Sequence, residues 1–358
     1  MTELAEVLEG TRSTLKAPFP WFGGKSRVAE TIWRAFGPDV PNFIDPFCGS
    51  LATLLLRPGG PGKIETVNDD SAAICNFWRA IMADPDAVAK WCDWPVNETD
   101  LHARHKWLVR ELAELKPKLE QDPELFDAKI AGWWVWGICC WIGGGWCQEA
   151  KTTGEAYSPG RRPSLTGEGQ GVHLVRKRPG VAVGVHVEAN WDEHTRLPAI
   201  GNDRGIFGVA APPCQEWFRA LAERLRRVRV CCGDWTRVLG PGTLGKGKNV
   251  GGRRPCAVLL DPPYPHEHRD PNLYGGQDSP DVWWAARDWA VEHGDDPDLR
   301  LALCGYAGDF GDHPGWSEYA WRGARGYANA DNENRDAERI WFSPHCLQIG
   351  KQGSLFDD

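Results

Sequence analysis

The chain has 358 residues, 42% of them hydrophobic and 25% charged, and a formal net charge of −8. These are ordinary globular values, with enough chain for a full α/β core and a second domain or large insertion. Net acidity argues against uniform coating of nucleic acid, and the acidic start MTELAEVLEG differs from a secretory leader, so a soluble cytoplasmic protein with no membrane span is expected.

Residues 1–16 read as a tail. In "APFPWFGGKSRVAETIWRAFG", a Gly23-Gly24 turn precedes a helix expected from Ser26 to Phe36, with Ser26 as its cap. The strand "NFID" follows, then "PFCGSLATLLL" as a loop running into a helix, the strand "KIETVND" ending in Asp69, and the amphipathic helix "AAICNFWRAIM". Strand, glycine loop, helix, strand and acid form the order of a nucleotide-binding half-sheet, the acid lying about twenty residues past the glycine. Only Gly49 stands where a dinucleotide fingerprint has three glycines, and no Lys-Ser/Thr pair ends a phosphate loop. An adenosine ligand without phosphates fits better, with the backbone close at Gly49 and the Asp69 carboxylate at the ribose; S-adenosylmethionine is such a ligand.

From residue 84 to 213 the βα rhythm breaks. "ETDLHARHKWLVRELAELKPKL" and "PELFDAKIAGWWVWGICCWI" read as helices, and residues 143–212 are rich in glycine, proline and arginine. This reads as an inserted, partly helical domain. Its tryptophans are expected to anchor it to the rest of the chain as core, ahead of acting as a stacking platform for bases. Basic clusters at "GRRPS" and "VRKRPG" mark a local patch able to meet phosphates on an acidic protein.

The rhythm returns with the helix "EWFRALAERLRR", the strand "VRVCC" and the turn Gly233-Asp234-Trp235. In "VLLDPPYPHEH" the run "CAVLL" at 256–260 has the composition of a buried parallel strand, and Asp261 stands at its carboxyl end, where open α/β sheets bind ligands. Pro262 and Pro263 end sheet pairing and fix the carbonyls. Tyr264 adds an aromatic face. A helix "PDVWWAARDWAVEHG", a strand "LRLALCGY" and a last strand near "ERIWF" complete the chain. The twelve cysteines fall singly or in adjacent pairs without a Cys-x-x-Cys, and read as buried thiols. His102 and His105 lie three apart and Cys139, Cys140 and Cys147 near one another, but tetrahedral zinc sites usually show paired short spacings, His266 and His268 read as loop residues, and no metal is expected.

"PFPWFGGKSRV", "FIDPFCGS", "VNDDSAAICNFWRAI", "CCGDW", "DPPY" and "AERIWFSP" run in the order found in DNA adenine-N6 methyltransferases of the DNA adenine methylase type, the alpha group. The chain resembles that family over residues 18–82 and 214–346. The resemblance implies a Rossmann-like S-adenosylmethionine-dependent sheet, residues 17–83 and 214–346, interrupted by a target-recognition domain, residues 84–213, with a carboxy-terminal tail at 347–358. It implies that Trp21, Gly23, Gly24 and Lys25 close over the methionine end of the cofactor. Asp45, Pro46, Phe47 and Gly49 match the family's glycine motif, Asp69 its ribose acid, and Asp234 with Trp235 its adenine-ring pocket. Asp261, Pro262, Pro263 and Tyr264 match the catalytic motif. Two departures stand out: Pro20 replaces a basic residue that would contact DNA, and Leu51 replaces a further glycine in the cofactor loop.

The expected reaction is methyl transfer from S-adenosylmethionine to adenine N6 in double-stranded DNA, by in-line attack after base flipping. Asp261 and the Pro262 carbonyl would take the two N6 hydrogens, and Tyr264 would stack on the base. Arg161, Arg162, Arg176, Lys177 and Arg178 are expected to contact DNA, and the protein is expected to be a monomer or weak dimer. Alternatives are cytosine-N4 methylation, a catalytically silent DNA-binding module, and an RNA or small-molecule methyltransferase. "PPC" at 212–214 resembles a cytosine-C5 nucleophile motif but opens an amphipathic helix.

Overall fold

The computed structural model describes residues 15–21, 23–122, 124–141, 146–147, 205–207, 211–246, 255–265, 281–321 and 338–348. Arg161, Arg162, Arg176, Lys177 and Arg178 lie outside the described residues, as do His266 and His268. Among the described residues the chain forms one seven-stranded sheet: β1 Asn42–Asp45, β2 Ile64–Asp69, β3 Val228–Cys232, β4 Cys256–Leu260, β5 Leu299–Tyr306, β6 Ser317–Ala320 and β7 Glu338–Phe342. The spatial order is β3-β2-β1-β4-β5-β7-β6. Strands β1 to β5 pair in parallel, and β7 runs antiparallel to both of its neighbours.

Burial explains which runs became central. β1 and β4 are buried at every position and β5 at nearly all, so unbroken apolar runs suit them. β6 is largely exposed and sits at the edge; "SEYA" carries no apolar run or alternation, so it had no sequence signal. The strand order reverses between β1 and β4, which creates a crevice beyond their carboxyl ends.

Among the described residues eight α-helices accompany the sheet: α1 Ala29–Phe36, α2 Ala52–Leu55, α3 Ala72–Ala83, α4 Pro85–Cys92, α5 Glu98–Gln121, α6 Ala128–Cys140, α7 Cys214–Leu225 and α8 Asp281–His293. Ser26 does not cap α1. It lies in a 3-10 turn at Lys25–Arg27, and Val28 takes the cap position without a side-chain bond. That turn carries Lys25 inward (2% exposed), so a tertiary contact overrides the local cap. α4 was not foreseen: Asp84 caps it by accepting from the Ala87 N–H at 3.0 Å, with Pro85 at the first helical position. α6 starts at Ala128, later than its sequence pattern, because the Asp127 carboxylate accepts from the Ile130 N–H at 2.8 Å.

Packing does not break at residue 84. Trp134, Val135 and Trp136 of α6 and Leu101 and Leu108 of α5 are buried in one cluster with Phe77, Trp78 and Phe218. Trp134 lies edge-on to Phe19 at 4.9 Å, and Phe77 meets Phe218 of α7 edge-on at 6.0 Å. These aromatic edges tie the amino-terminal segment, the sheet helices and α6 into a common core. No helix among the described residues is long and apolar enough to cross a membrane.

Candidate active site

Acidic and aromatic side chains gather at the carboxyl edge of the sheet. Asp45 ends β1, Asp69 ends β2, Asp234 follows β3, Asp261 follows β4 and Tyr306 ends β5. Because β7 is antiparallel, its first residue, Glu338, pairs with Tyr306 and arrives at the same edge.

The Lys25 ammonium donates to Asp261 Oδ1 at 2.6 Å and to the Gly23 carbonyl at 2.7 Å. The Lys25 side chain is 2% exposed and that of Asp261 20%, so the carboxylate keeps an open side. Burial pushes Asp261 up and the neighbouring ammonium opposes it. Asp45 is raised well above the usual carboxylate range, first by burial and then by the Asp261 charge. For Lys25 burial disfavours the cation, yet Asp261, Cys304 and Glu338 outweigh it and the ammonium is held more tightly than usual.

Tyr264 donates its phenol hydrogen to Glu338 Oε2 at 2.9 Å, and its ring meets Tyr306 edge-on at 4.7 Å. The Lys25 ammonium stands 5.5 Å from the Tyr264 ring centroid and 5.7 Å from that of Trp321. The face on which a base was expected to stack therefore has an ammonium beside it. Sequence reasoning gave no role to Glu338, Tyr306 or Trp321. "AERIWFSP" had contained Glu338, but only the antiparallel pairing shows where that carboxylate goes.

The glycine loop is braced from three directions. The Gly49 N–H donates to Asp69 Oδ2 at 3.0 Å, and the Trp78 indole donates to the Gly49 carbonyl at 3.1 Å. A Cβ on Gly49 would lie 2.5 Å from Trp21 Cδ1, so the glycine lets the indole close on the loop. Leu51 holds the left-handed conformation (φ 59°) that a glycine would adopt freely, with its side chain fully buried. Apolar burial thus compensates a backbone cost of about 1–2 kcal/mol. Asn68 links the loops after β1 and β3, donating to the Pro46 carbonyl at 3.1 Å and the Gly233 carbonyl at 2.8 Å.

The other Asp69 oxygen accepts from the Ser71 N–H at 2.9 Å, and burial pushes its carboxyl up to about 6. Phe47 and Trp235 lie 5.7 Å apart with planes tilted by 30°, forming an aromatic corner beside the loop. Asp234 is exposed and caps its own turn, accepting from the Thr236 N–H at 2.9 Å and from the Thr236 hydroxyl.

The described cysteines pack in the interior or beside it. Burial raises Cys48 well above an ordinary thiol, and Cys214 shares a hydrogen bond with Cys92 of α4. Nothing in these contacts brings the "PPC" thiol to Asp261. His105 accepts from the Cys147 N–H at 3.2 Å and stacks on Trp141 at 4.9 Å. Among the described residues no His, Cys, Asp and Glu group has the geometry to hold a metal ion.

Residues 21–108 match the model of the D12 class N6 adenine-specific DNA methyltransferase family. The match supports a Dam-like adenine methyltransferase, and DNA adenine methylation as its general chemistry. The D12 span holds Trp21, Lys25, Asp45, Gly49 and Asp69 and crosses residue 84; Asp234, Asp261 and Tyr264 lie beyond it. The contact from Lys25 to Asp261 joins the D12 segment to the later motif across 236 positions. No curated protein matches the chain.

Proposed function

We propose that this protein transfers a methyl group from S-adenosylmethionine to N6 of an adenine flipped out of double-stranded DNA, directly and without a covalent enzyme intermediate. The observation that carries the reading is Asp261 at the strand-order reversal, partly open and held by an ammonium from the D12-matched segment.

The residues present suit the cofactor. The loop needs glycine at 49, where a Cβ would meet the Trp21 indole, and the nearby donor and acceptor set is that of an adenosine rather than a phosphate. Asp69 would take the ribose hydroxyls, Phe47 and Trp235 would hold the adenine ring, and the Trp21 to Lys25 segment with Asp45 would enclose the methionine end. When bound, the cofactor supplies an electrophilic methyl on a sulfonium.

The lone pair of adenine N6 is delocalised into the ring and is a poor nucleophile. Asp261 and the Pro262 carbonyl accept one N6 hydrogen each, which favours a pyramidal nitrogen with an available lone pair. The Lys25 ammonium opposes the burial that raises the Asp261 carboxyl, and it must share or leave Oδ1 as the amine arrives. The proton lost from N6 passes to Asp261 and out through its open side. Tyr264, held at its hydroxyl by Glu338, offers its ring to the base. Residues 84–213, with Arg161, Arg162, Arg176, Lys177 and Arg178, are assigned to reading the DNA.

Nucleoside mass spectrometry of DNA from cells expressing the chain tests this. N6-methyladenine should appear with the wild type and be absent with Asp261→Ala. N4-methylcytosine in its place would favour the cytosine reading, and no modified base would overturn the activity.

A further inference from the structure

We infer that Trp321 is a base-positioning residue: its indole N–H donates to a ring nitrogen of the flipped base, beside the amino group held at Asp261. The inference rests on the proposed adenine reaction and adds a residue that neither the motifs nor the D12 match contains.

The indole nitrogen of Trp321 is buried without a hydrogen-bond partner. That sets it apart from other tryptophans in the structure. Trp33 donates to the Thr53 carbonyl, Trp78 to Gly49, Trp136 to Trp94, Trp146 to Trp134 and Trp283 to Cys304, at 2.8 to 3.1 Å. A fold that satisfies these donors and leaves one orphaned has either a defect or a place for a ligand acceptor there.

The place favours a ligand. Trp321 directly follows β6, and its backbone N–H donates to the Glu338 carbonyl at 3.2 Å, which seats it against the strand that anchors Tyr264. Its ring lies 5.7 Å from the Lys25 ammonium, which is 5.5 Å from the Tyr264 ring and 2.6 Å from Asp261. The ammonium thus marks a polar point 5.5 and 5.7 Å from two aromatic ring centroids and hydrogen-bonded to a carboxylate. An amino group on a flat heterocycle meets the same demands: a donor to Asp261 and π faces for the ring. In adenine N1, bonded to the carbon that bears N6, and N7, one ring position further on the opposite side, lie on either side of the amino group, and both are acceptors without hydrogen. A fixed N–H beside the amine reads one of them, and leaving that donor unpaired penalises a base that offers a hydrogen there.

The test uses duplexes carrying the site that the wild type methylates, with the target adenine replaced in turn by 1-deazaadenine and 7-deazaadenine. Wild-type transfer to the natural duplex is measured first; its absence would remove the adenine reaction itself, separately from the tryptophan. One deaza substitution should lower wild-type kcat/KM about tenfold or more. Trp321→Phe, which keeps a ring and loses the donor, should lower kcat/KM on natural DNA by a similar factor, with S-adenosylmethionine affinity and Tm unchanged. The same deaza substitution should then cause no further loss in the variant. Wild-type indifference to both deaza bases would overturn the inference without reference to any variant. So would a Trp321→Phe enzyme of full activity, or losses that multiply in every combination.

Discussion

Two buried ion clusters occupy opposite edges of the sheet, and they are balanced in opposite ways. At the amino edge, Glu65 at the start of β2 is 1% exposed and meets two arginines: Arg57 at 3.2 Å, and Arg224 at 2.7 Å from its other oxygen. The Gly62 N–H donates to the same carboxylate, Arg57 donates to the Pro38 and Val40 carbonyls, and Arg224 donates to that of Leu54. At the carboxyl edge, Lys25 faces Asp45, Asp261 and Glu338. The first cluster has more cation than anion and closes on itself. The second has more carboxylate than cation, an open side at Asp261, and an orphaned indole N–H beside it. Buried charge whose hydrogen bonds are met by a carboxylate and backbone carbonyls pins a fold, whereas a carboxyl cluster with fewer cations than acids is where an incoming positive or hydrogen-bearing group gains most.

The sharpest way to break this contrast is a carboxylate-for-amide exchange at each edge. Asp261→Asn should lower methyl transfer by about 10²- to 10³-fold, the scale for losing one positioned group acting on the transition state. Cofactor affinity by calorimetry should stay within a few-fold, and full activity would remove Asp261 from the chemistry. Glu65→Gln should do the reverse: about 3–5 kcal/mol of stability lost on chemical denaturation, because two arginines are left buried without their charge partner, with the rate per folded molecule preserved. Equal effects of both variants on activity would erase the distinction.

Trp136→Ala should remove a fully buried ring and cost about 3–5 kcal/mol. Trp133 is only half-buried, so Trp133→Ala should cost less. Unaltered stability in both, with weakened DNA binding, would turn α6 from core into contact surface.

Asp69 sharpens the comparison through pH. Its carboxyl is raised to about 6 by burial, so the folded protein holds this proton more tightly than the unfolded chain. Its contribution to stability is present below the unfolded value near 3.9 and is lost as pH rises through 6. Cofactor binding should run the other way, weakening as pH falls below about 6 because the ribose hydroxyls need the ionised acceptor. Asp69→Ala should weaken binding by about 1.5–3 kcal/mol and flatten the profile; an unchanged dissociation constant would free Asp69 from the ribose role.

The smallest expected effect lies at His105, which burial pushes down to about 4. A depressed histidine contributes stability above its unfolded value near 6.5, lost as pH falls toward 4. Thermal melts between those values should show less acid sensitivity in His105→Phe than in the wild type.

Much of the sheet was legible because central strands are buried on both faces and read as short apolar runs: "NFID", "CAVLL" and "LRLALCGY" became β1, β4 and β5. β6 and α4 were not legible, since an exposed edge strand carries no period and an eight-residue helix rests on one cap. The rigid Asp-Pro-Pro-Tyr turn and the acids ending β1 and β2 were visible as strand ends, and they converge at one edge. Ser26 misled because a local capping preference worth about 1 kcal/mol yields to a tertiary ion pair.

By itself the sequence determined the alternation of strands and helices and the positions where acids end strands, since these depend on side-chain periodicity and backbone stiffness within a few residues. Only the tertiary structure decided which charges meet. Lys25 and Asp261 are 236 positions apart, Tyr264 and Glu338 are 74 apart, and Glu65 and Arg224 are 159 apart. No local pattern encodes such pairings. Strand order and the antiparallel turn of β7 bring them together, and burial then sets how strongly each charge needs its partner.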